Sequence, residues 1–385
     1  MTDWTLALSG ERFTALYRLA CPADEAARRA RELCVEQTVE FPPQLIAEQA
    51  IHDQIIGRVA RLEAVGPDTF EAAIDYPIEV AGPELTQLIN VLFGNSSLKP
   101  GIRLQRFDLP NALARAYPGP RFGQSGIRAL FGASRGPLLC TAIKPMGRSP
   151  KALAELAYQL ALGGIDLIKD DHGLADQSFC PFAERVPRCA DAVARANRIT
   201  GGRSRYVPNI TAPTEEVHRR AEQAKAAGAG GLLLCPGLTG FDTMRSLAAT
   251  EGLALPILSH PAFLGAYCQG RDAGLAHRVL FGQLTRLAGA DATIFPHAGG
   301  RFAFTEAECR ELAAGATDPM GSLEPIFPVP AGGLSLERIV EVRNFYRDDC
   351  ILLIGGDLHA QGSDLVATCR RFVALARGAH QSSQK

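Results

Sequence analysis

Lysine is scarce in this chain. Only six of its 40 basic residues are lysines, at 99, 144, 151, 169, 225 and 385, and arginine supplies the rest. Charge imbalance is also missing: the formal net charge is −1, which gives no reason to expect a nucleic-acid partner or an acidic membrane surface. No apolar run reaches the roughly 20 residues that span a bilayer. The opening Met-Thr-Asp-Trp-Thr lacks a basic stretch followed by an apolar core. A cytoplasmic protein with no membrane partner is therefore expected. The ten cysteines are scattered, with no C-x-x-C pair and no zinc-ligand spacing. They read as reduced, mostly buried residues in a chain long enough to bury a large core without disulfides.

In so lysine-poor a chain, a lysine placed at a strand end can do what arginine cannot. Its amine can shed a proton and act as base, Schiff-base former or carbamate, whereas guanidinium stays charged. The segment Gly163-Gly164-Ile165-Asp166-Leu167-Ile168-Lys169-Asp170-Asp171-His172 sets such a lysine among acids and a histidine at the end of an apolar run. The plainer reading is a lysine that snorkels from a strand end to pair with Asp170.

The first part of the chain reads strand, helix, strand, strand, helix, strand. Strand 12–19 precedes a helix over 23–36 opened by Pro22. A hairpin of 53–65 with 69–76, a helix over 84–92 and a closing strand over 102–109 follow. That order fits a ferredoxin-like α+β domain. Pro, Gly and Arg residues between 117 and 137 then mark a linker, and a domain boundary is expected between 134 and 135. From Pro137 onward, apolar runs at 137–143, 165–169, 205–210, 231–235, 256–260, 291–295, 326–330 and 350–354 alternate with helix-length stretches. Eight such units argue for a C-terminal (β/α)8 TIM barrel; an open, all-parallel sheet is the competing layout.

Barrel active sites lie at the C-terminal strand ends. That places Lys144 after the first strand, Lys169, Asp171 and His172 after the second, Asn209 after the third and Cys235 after the fourth. His260 follows the fifth, His297 and Arg301 the sixth, Gly332-Gly333 the seventh and Gly355-Gly356 the eighth. Glycine pairs in the last two loops suit phosphate held by backbone N–H groups, although tight turns explain such pairs equally well. A phosphorylated small-molecule substrate follows. Lys169 and Asp171, two apart on a strand, face the same way. A carbamate on a lysine surrounded by apolar groups, with Asp171, would offer Mg²⁺ the oxygen donors it prefers. His172 is a softer neighbour, and Cys235 reads as packing rather than nucleophile.

At nearly full length these residues resemble the RuBisCO superfamily, and specifically its RuBisCO-like proteins. Thr-Ala-Ile-Lys-Pro (141–145) is similar to the family's T-I-K-P, which implies proton movement by Lys144. The 163–172 segment resembles G-G-x-D-x-x-K-D-D-E, which implies carbamylation of Lys169 and Mg²⁺ held by Lys169 and Asp171, with His172 standing where the family has glutamate. His260 in S-H-P-A matches the fifth-strand histidine. Ala331-Gly332-Gly333 and Ile354-Gly355-Gly356 match the loops that hold one phosphate. Glu36 in V-E-Q and Asn95 in F-G-N resemble residues that reach the partner subunit's site, so the resemblance implies a homodimer with shared active sites.

The departures bear on the reaction. The second lysine of carboxylating members is Met146 here, and the arginine after the fifth-strand histidine is Pro261. Loop 295–302 reads F-P-H-A-G-G-R-F and lacks its lysine, though Arg301 could partly stand in. True ribulose bisphosphate carboxylation is not expected; one phosphate site is kept and one lost. The resemblance implies enediolate chemistry on a singly phosphorylated keto sugar or sugar acid. The K-D-D-H and G-G-R-F variants put decarboxylation or hydrolytic cleavage of a 3-oxo sugar-acid phosphate, such as 3-oxo-isoapionate 4-phosphate, ahead of an enolase or isomerase acting on a ketose 1-phosphate of the methylthio-sugar type. The rivals are a Schiff-base aldolase using Lys144 or Lys169 and a non-catalytic sugar-phosphate-binding protein.

Overall fold

Two sheet systems organise the chain, and the barrel of the second carries the strand ends of interest. The structure is a computed structural model that describes residues 6–378. In the N-terminal part, β1 (Arg12–Ala20), β2 (Arg58–Gly66), β3 (Thr69–Pro77) and β4 (Ile102–Asp108) pair in the order β4-β1-β3-β2, the ferredoxin-like arrangement. β1 alternates strictly, with Phe13, Ala15, Tyr17 and Leu19 buried, so one face of this sheet takes the apolar side chains. The helix Ala23–Glu36 covers that face with Ala26, Ala30, Leu33 and Cys34. A two-residue strand from the barrel part, β10 (Gly274–Leu275), adds in parallel to β4 and joins the two sheet systems at what would otherwise be an open edge.

The expected strand over 53–65 starts later. Residues Gln49–Gln54 form a helical turn, and β2 begins only at Arg58. Gly57 lies between them because a Cβ there would meet the Tyr76 ring at 2.8 Å and the Cys34 Cα at 3.1 Å. The segment read as a linker is likewise more ordered than expected. Gly123–Phe131 is a helix that buries Ile127 and Phe131, one turn apart, against Leu138, Leu167, Val207, Leu233, Leu258 and Phe327. Its entry is fixed by Asp291, which accepts from the N–H groups of Phe122 (2.7 Å) and Gly123 (2.9 Å) while its other oxygen takes Ile257 N–H at 2.9 Å. The linker composition thus hides a plug for the barrel floor.

All eight expected barrel strands form: β5 (Leu138–Ile143), β6 (Leu167–Asp170), β7 (Arg205–Val207), β8 (Leu232–Leu234), β9 (Ile257–Ser259), β11 (Ala292–Pro296), β12 (Phe327–Ala331) and β13 (Ile351–Ile354). They run parallel as β13-β5-β6-β7 and β12-β11-β9-β8, and a parallel bridge from Asn209 to Leu233 links β7 to β8. The strands are buried nearly throughout, as expected where helices cover the outside and side chains fill the inside. No helix among the described residues is long and apolar enough to cross a membrane, and all ten cysteines are free and buried.

Candidate active site

The second barrel strand sets the chemistry by alternation. Leu167 belongs to the inner cluster and Ile168 to the outer one, so Lys169 faces the barrel interior and Asp170 the helical shell. Asp170 is fully buried. It accepts from Arg185 Nε at 3.1 Å, the Tyr206 hydroxyl at 2.6 Å and Asn209 N–H at 3.0 Å. Burial pushes its carboxyl up, and Arg185 and these donors oppose that shift. Asp170 is the structural anchor its outward register implied.

Lys169 is 3% exposed, and its Nζ donates to the Asp170 carbonyl at 3.0 Å. Burial lowers its pKa below the usual lysine value, with Asp171 and Asp170 acting in the other direction. A larger fraction of neutral amine is the form that carbamylation needs. Asp171 lies close enough to Lys169 for the two to act on one another's charge, and its Oδ1 reaches toward the first strand, 3.2 Å from Lys144 Nζ. Burial alone would raise the Asp171 carboxyl, but Lys144, Lys169 and His172 together bring it below its ordinary value.

His172 follows directly, its Nδ1 3.8 Å from Asp171 Oδ1. Its ring stacks on that of His260, with centroids 4.4 Å apart and planes 13° apart. Asn209 fixes the loop that carries it, donating to the carbonyls of His172 (2.9 Å) and Leu174 (3.0 Å). His260 N–H is tied to the Leu234 carbonyl at 2.8 Å, and its Nδ1 accepts from Ala262 N–H at 3.2 Å, which leaves the proton of the neutral ring on Nε2. Burial, and then the positive charges of Lys169, His172 and Lys144, hold His260 well below the usual histidine value.

The two glycine pairs differ. Gly332 and Gly333 have φ of +79° and +114°, and Cβ atoms there would meet Phe302 and Arg301 N at 3.0 Å. Backbone conformation and the close approach of loop 298–302 account for that pair, and Arg301 N–H donates to the Gly332 carbonyl at 2.9 Å. Gly355 and Gly356 have neither constraint. A Cβ on Gly355 would meet only Lys144 Nζ, at 3.7 Å, and one on Gly356 would meet nothing within 4 Å. This pair borders open space beside Lys144, as a ligand cradle would.

Other expected site residues scatter more widely. The Arg301 guanidinium sits 5.0 Å from the Phe302 ring, and its charge adds a small push to the lowering of the His172 pKa behind burial, Lys169 and Lys144. His297 is buried in the wall, its Nδ1 2.9 Å from the Tyr346 hydroxyl and its ring edge-on to Phe345 and Tyr346. Glu36 and Asn95 lie together on the N-terminal part, where Asn95 Nδ2 donates to Glu36 Oε1 at 3.4 Å and Lys99 pairs with Glu36. Among the described residues neither has a hydrogen bond or ion pair to the barrel. Cys235 is buried, and burial raises its thiol. Arg185 and Tyr206 are the positioning residues that sequence reading missed: nothing in their spacing marks them, since they meet Asp170 only through the fold.

The donor set bears on the divalent ion implied for this family. Among the described residues no three His, Cys, Asp or Glu side chains group to hold a metal. Asp171 and His172 are two donors, and a carbamate on Lys169 would be the third. Lys144 Nζ, 3.2 Å from Asp171 Oδ1, marks the side on which that carboxylate meets a basic group. The residues fit a divalent cation on those terms, with one nitrogen among the ligands.

Comparison with known proteins agrees with this geometry. Residues 124–375 match the family described as ribulose bisphosphate carboxylase large chain, catalytic domain. The chain is 43% identical over 364 residues to ribulose bisphosphate carboxylase-like protein 1 of Rhodopseudomonas palustris, covering 94% of this chain and 97% of that one. It is 40% identical over 370 residues to 5-methylthioribulose-1-phosphate isomerase of Rhodospirillum rubrum, covering 96% and 97%. The crystal structure of a RuBisCO-like protein from Rhodopseudomonas palustris superposes with a TM-score of 0.86 at 41% identity, covering 96% of this chain and 99% of that chain. The chain belongs to the RuBisCO large-chain family, as one of its non-carboxylating RuBisCO-like enzymes.

Proposed function

We propose that this enzyme isomerises a singly phosphorylated keto sugar, a ketose 1-phosphate of the methylthio-sugar type, by moving a proton between adjacent carbons through an enediolate. The observation that carries the reading is the position of Lys144 Nζ, 3.2 Å from Asp171 Oδ1 and beside the open space at Gly355-Gly356. A proton carrier and a cradle for phosphate thus adjoin one another, and a phosphate seated there sets its neighbouring carbons against the amine. Lys144 takes the proton from the carbon next to the ketone and returns it to the neighbouring carbon. His260 passes its Nε2 proton to the former ketone oxygen and takes up the proton of the neighbouring hydroxyl, so no net proton is gained or lost. Arg301 offsets negative charge at the open side. A divalent ion held by carbamylated Lys169, Asp171 and His172, for which Mg²⁺ is the family precedent, would polarise the ketone. Glu36 and Asn95 serve the partner's site in a homodimer. The 40% identical isomerase weighs toward proton transfer over the decarboxylation that the K-D-D-H and G-G-R-F variants suggest.

The test is a substrate panel followed by phosphorus NMR and carbon dioxide release. It comprises 1-phospho-2-ketoses, including 5-methylthioribulose 1-phosphate, and 3-oxo sugar-acid phosphates, supplied with a divalent metal and bicarbonate. Metal-dependent isomer formation without carbon dioxide supports the proposal, and carbon dioxide release from the oxo acids alone replaces it with decarboxylation. Lys144→Ala should reduce turnover by about 10²–10⁴-fold with an unchanged circular dichroism spectrum.

A further inference from the structure

Asp171 and His172 are adjacent donors of different chemical kind. Ligands about 2.1 Å from one ion and at right angles to each other lie roughly 3 Å apart. The separation of His172 Nδ1 and Asp171 Oδ1, 3.8 Å, is within about 1 Å of that spacing. The ring is already seated. Its backbone carbonyl is held by Asn209, one face lies on His260, and its side chain is still 46% exposed, so the edge remains open to an ion. Mg²⁺ demands near-octahedral oxygen ligands, whereas imidazole suits the borderline ions of the later first transition row. Only one carboxylate is present in this donor set, and one ligand position is nitrogen.

We infer that this site selects a nitrogen-accepting divalent ion of the Co²⁺ or Zn²⁺ class over Mg²⁺, with His172 as the ligand that sets the choice. The inference rests on Lys169 and Asp171 as metal-holding residues, and its test needs no substrate. Full-length protein is dialysed with bicarbonate against equal Co²⁺ and Mg²⁺, and the bound metals are measured by elemental analysis. Asp171→Asn supplies the background from cysteines and surface histidines. Wild type should retain Co²⁺ over Mg²⁺ above that background. His172→Glu should lower the Co²⁺ to Mg²⁺ ratio by roughly tenfold or more.

A measurement on wild type alone guards against a misfolded variant: bound Mn²⁺ should show spin-echo modulation from a directly coordinated imidazole nitrogen. Equal retention of Mg²⁺, a ratio unchanged by His172→Glu in folded protein, absence of the nitrogen modulation, or no metal above the Asp171→Asn background each overturns the inference. Failure of the isomerase reading would show only in the substrate panel and leaves these ratios untouched.

Discussion

Asp170 shows how much of the site depends on a residue that never meets substrate. Its carboxylate, fully enclosed, holds β6, β7 and the helix Phe182–Thr200 together through Tyr206, Asn209 and Arg185. Removing one partner of a buried ion pair leaves a charge without compensation. Arg185→Ala is therefore expected to cost about 3–5 kcal/mol, measured by urea denaturation, whereas an exposed pair such as Arg310 with Glu306 should cost about 1 kcal/mol or less. A small loss at Arg185 would mean that Asp170 is neutral and held by Tyr206 and Asn209 alone. The motif around Lys169 was legible because register alone separates its inward lysine from its outward acid. The partners of Asp170 were not, since Arg185 and Tyr206 lie 15 and 36 residues away and carry no local mark.

Loops and helices divide along similar lines. Gly332-Gly333 and Gly355-Gly356 look alike as sequence, yet only the first pair is required by backbone conformation. Gly356→Ala should leave the thermal midpoint unchanged, because a Cβ there meets no protein atom, while raising KM for a phosphorylated substrate about tenfold or more if the space is the phosphate cradle. An unchanged KM would remove the cradle from that loop. Gly333→Ala, by contrast, meets a positive φ and crowding from loop 298–302, and should destabilise the fold outright. The helix Gly123–Phe131 is the element that composition concealed: Gly, Pro and Arg around it read as a linker, and only the barrel floor gives Ile127 and Phe131 something to bury against. Ile127→Ala is expected to cost about 2–5 kcal/mol, read from the denaturation midpoint.

Across the described residues five histidines lie below their ordinary value, His172, His260, His277, His297 and His359, in each case chiefly through burial. The unfolded chain takes up protons near pH 6.5 that the fold refuses until lower pH. Below that point the unfolded state binds more protons, so stability rises with pH through the window and is full above it. Asp291 opposes this, since burial raises its carboxyl to about 6 and the fold takes up that proton in the same window. With five histidines against one carboxyl, the urea midpoint should still fall between about pH 7 and about pH 5.5, and a rising midpoint on acidification would contradict the balance of these shifts.

The order of strands and helices, the identity of Lys144, Lys169 and Asp171, and the loss of the carboxylase lysines were written in the sequence, because period, register and strand-end position are local properties. The fold alone decided that Lys144 pairs with Asp171 across two strands, that His172 lies on His260, that Arg185 and Tyr206 hold Asp170, and that one glycine pair is spatially free. Those relations join residues distant along the chain, and distance through space is fixed only when the barrel closes.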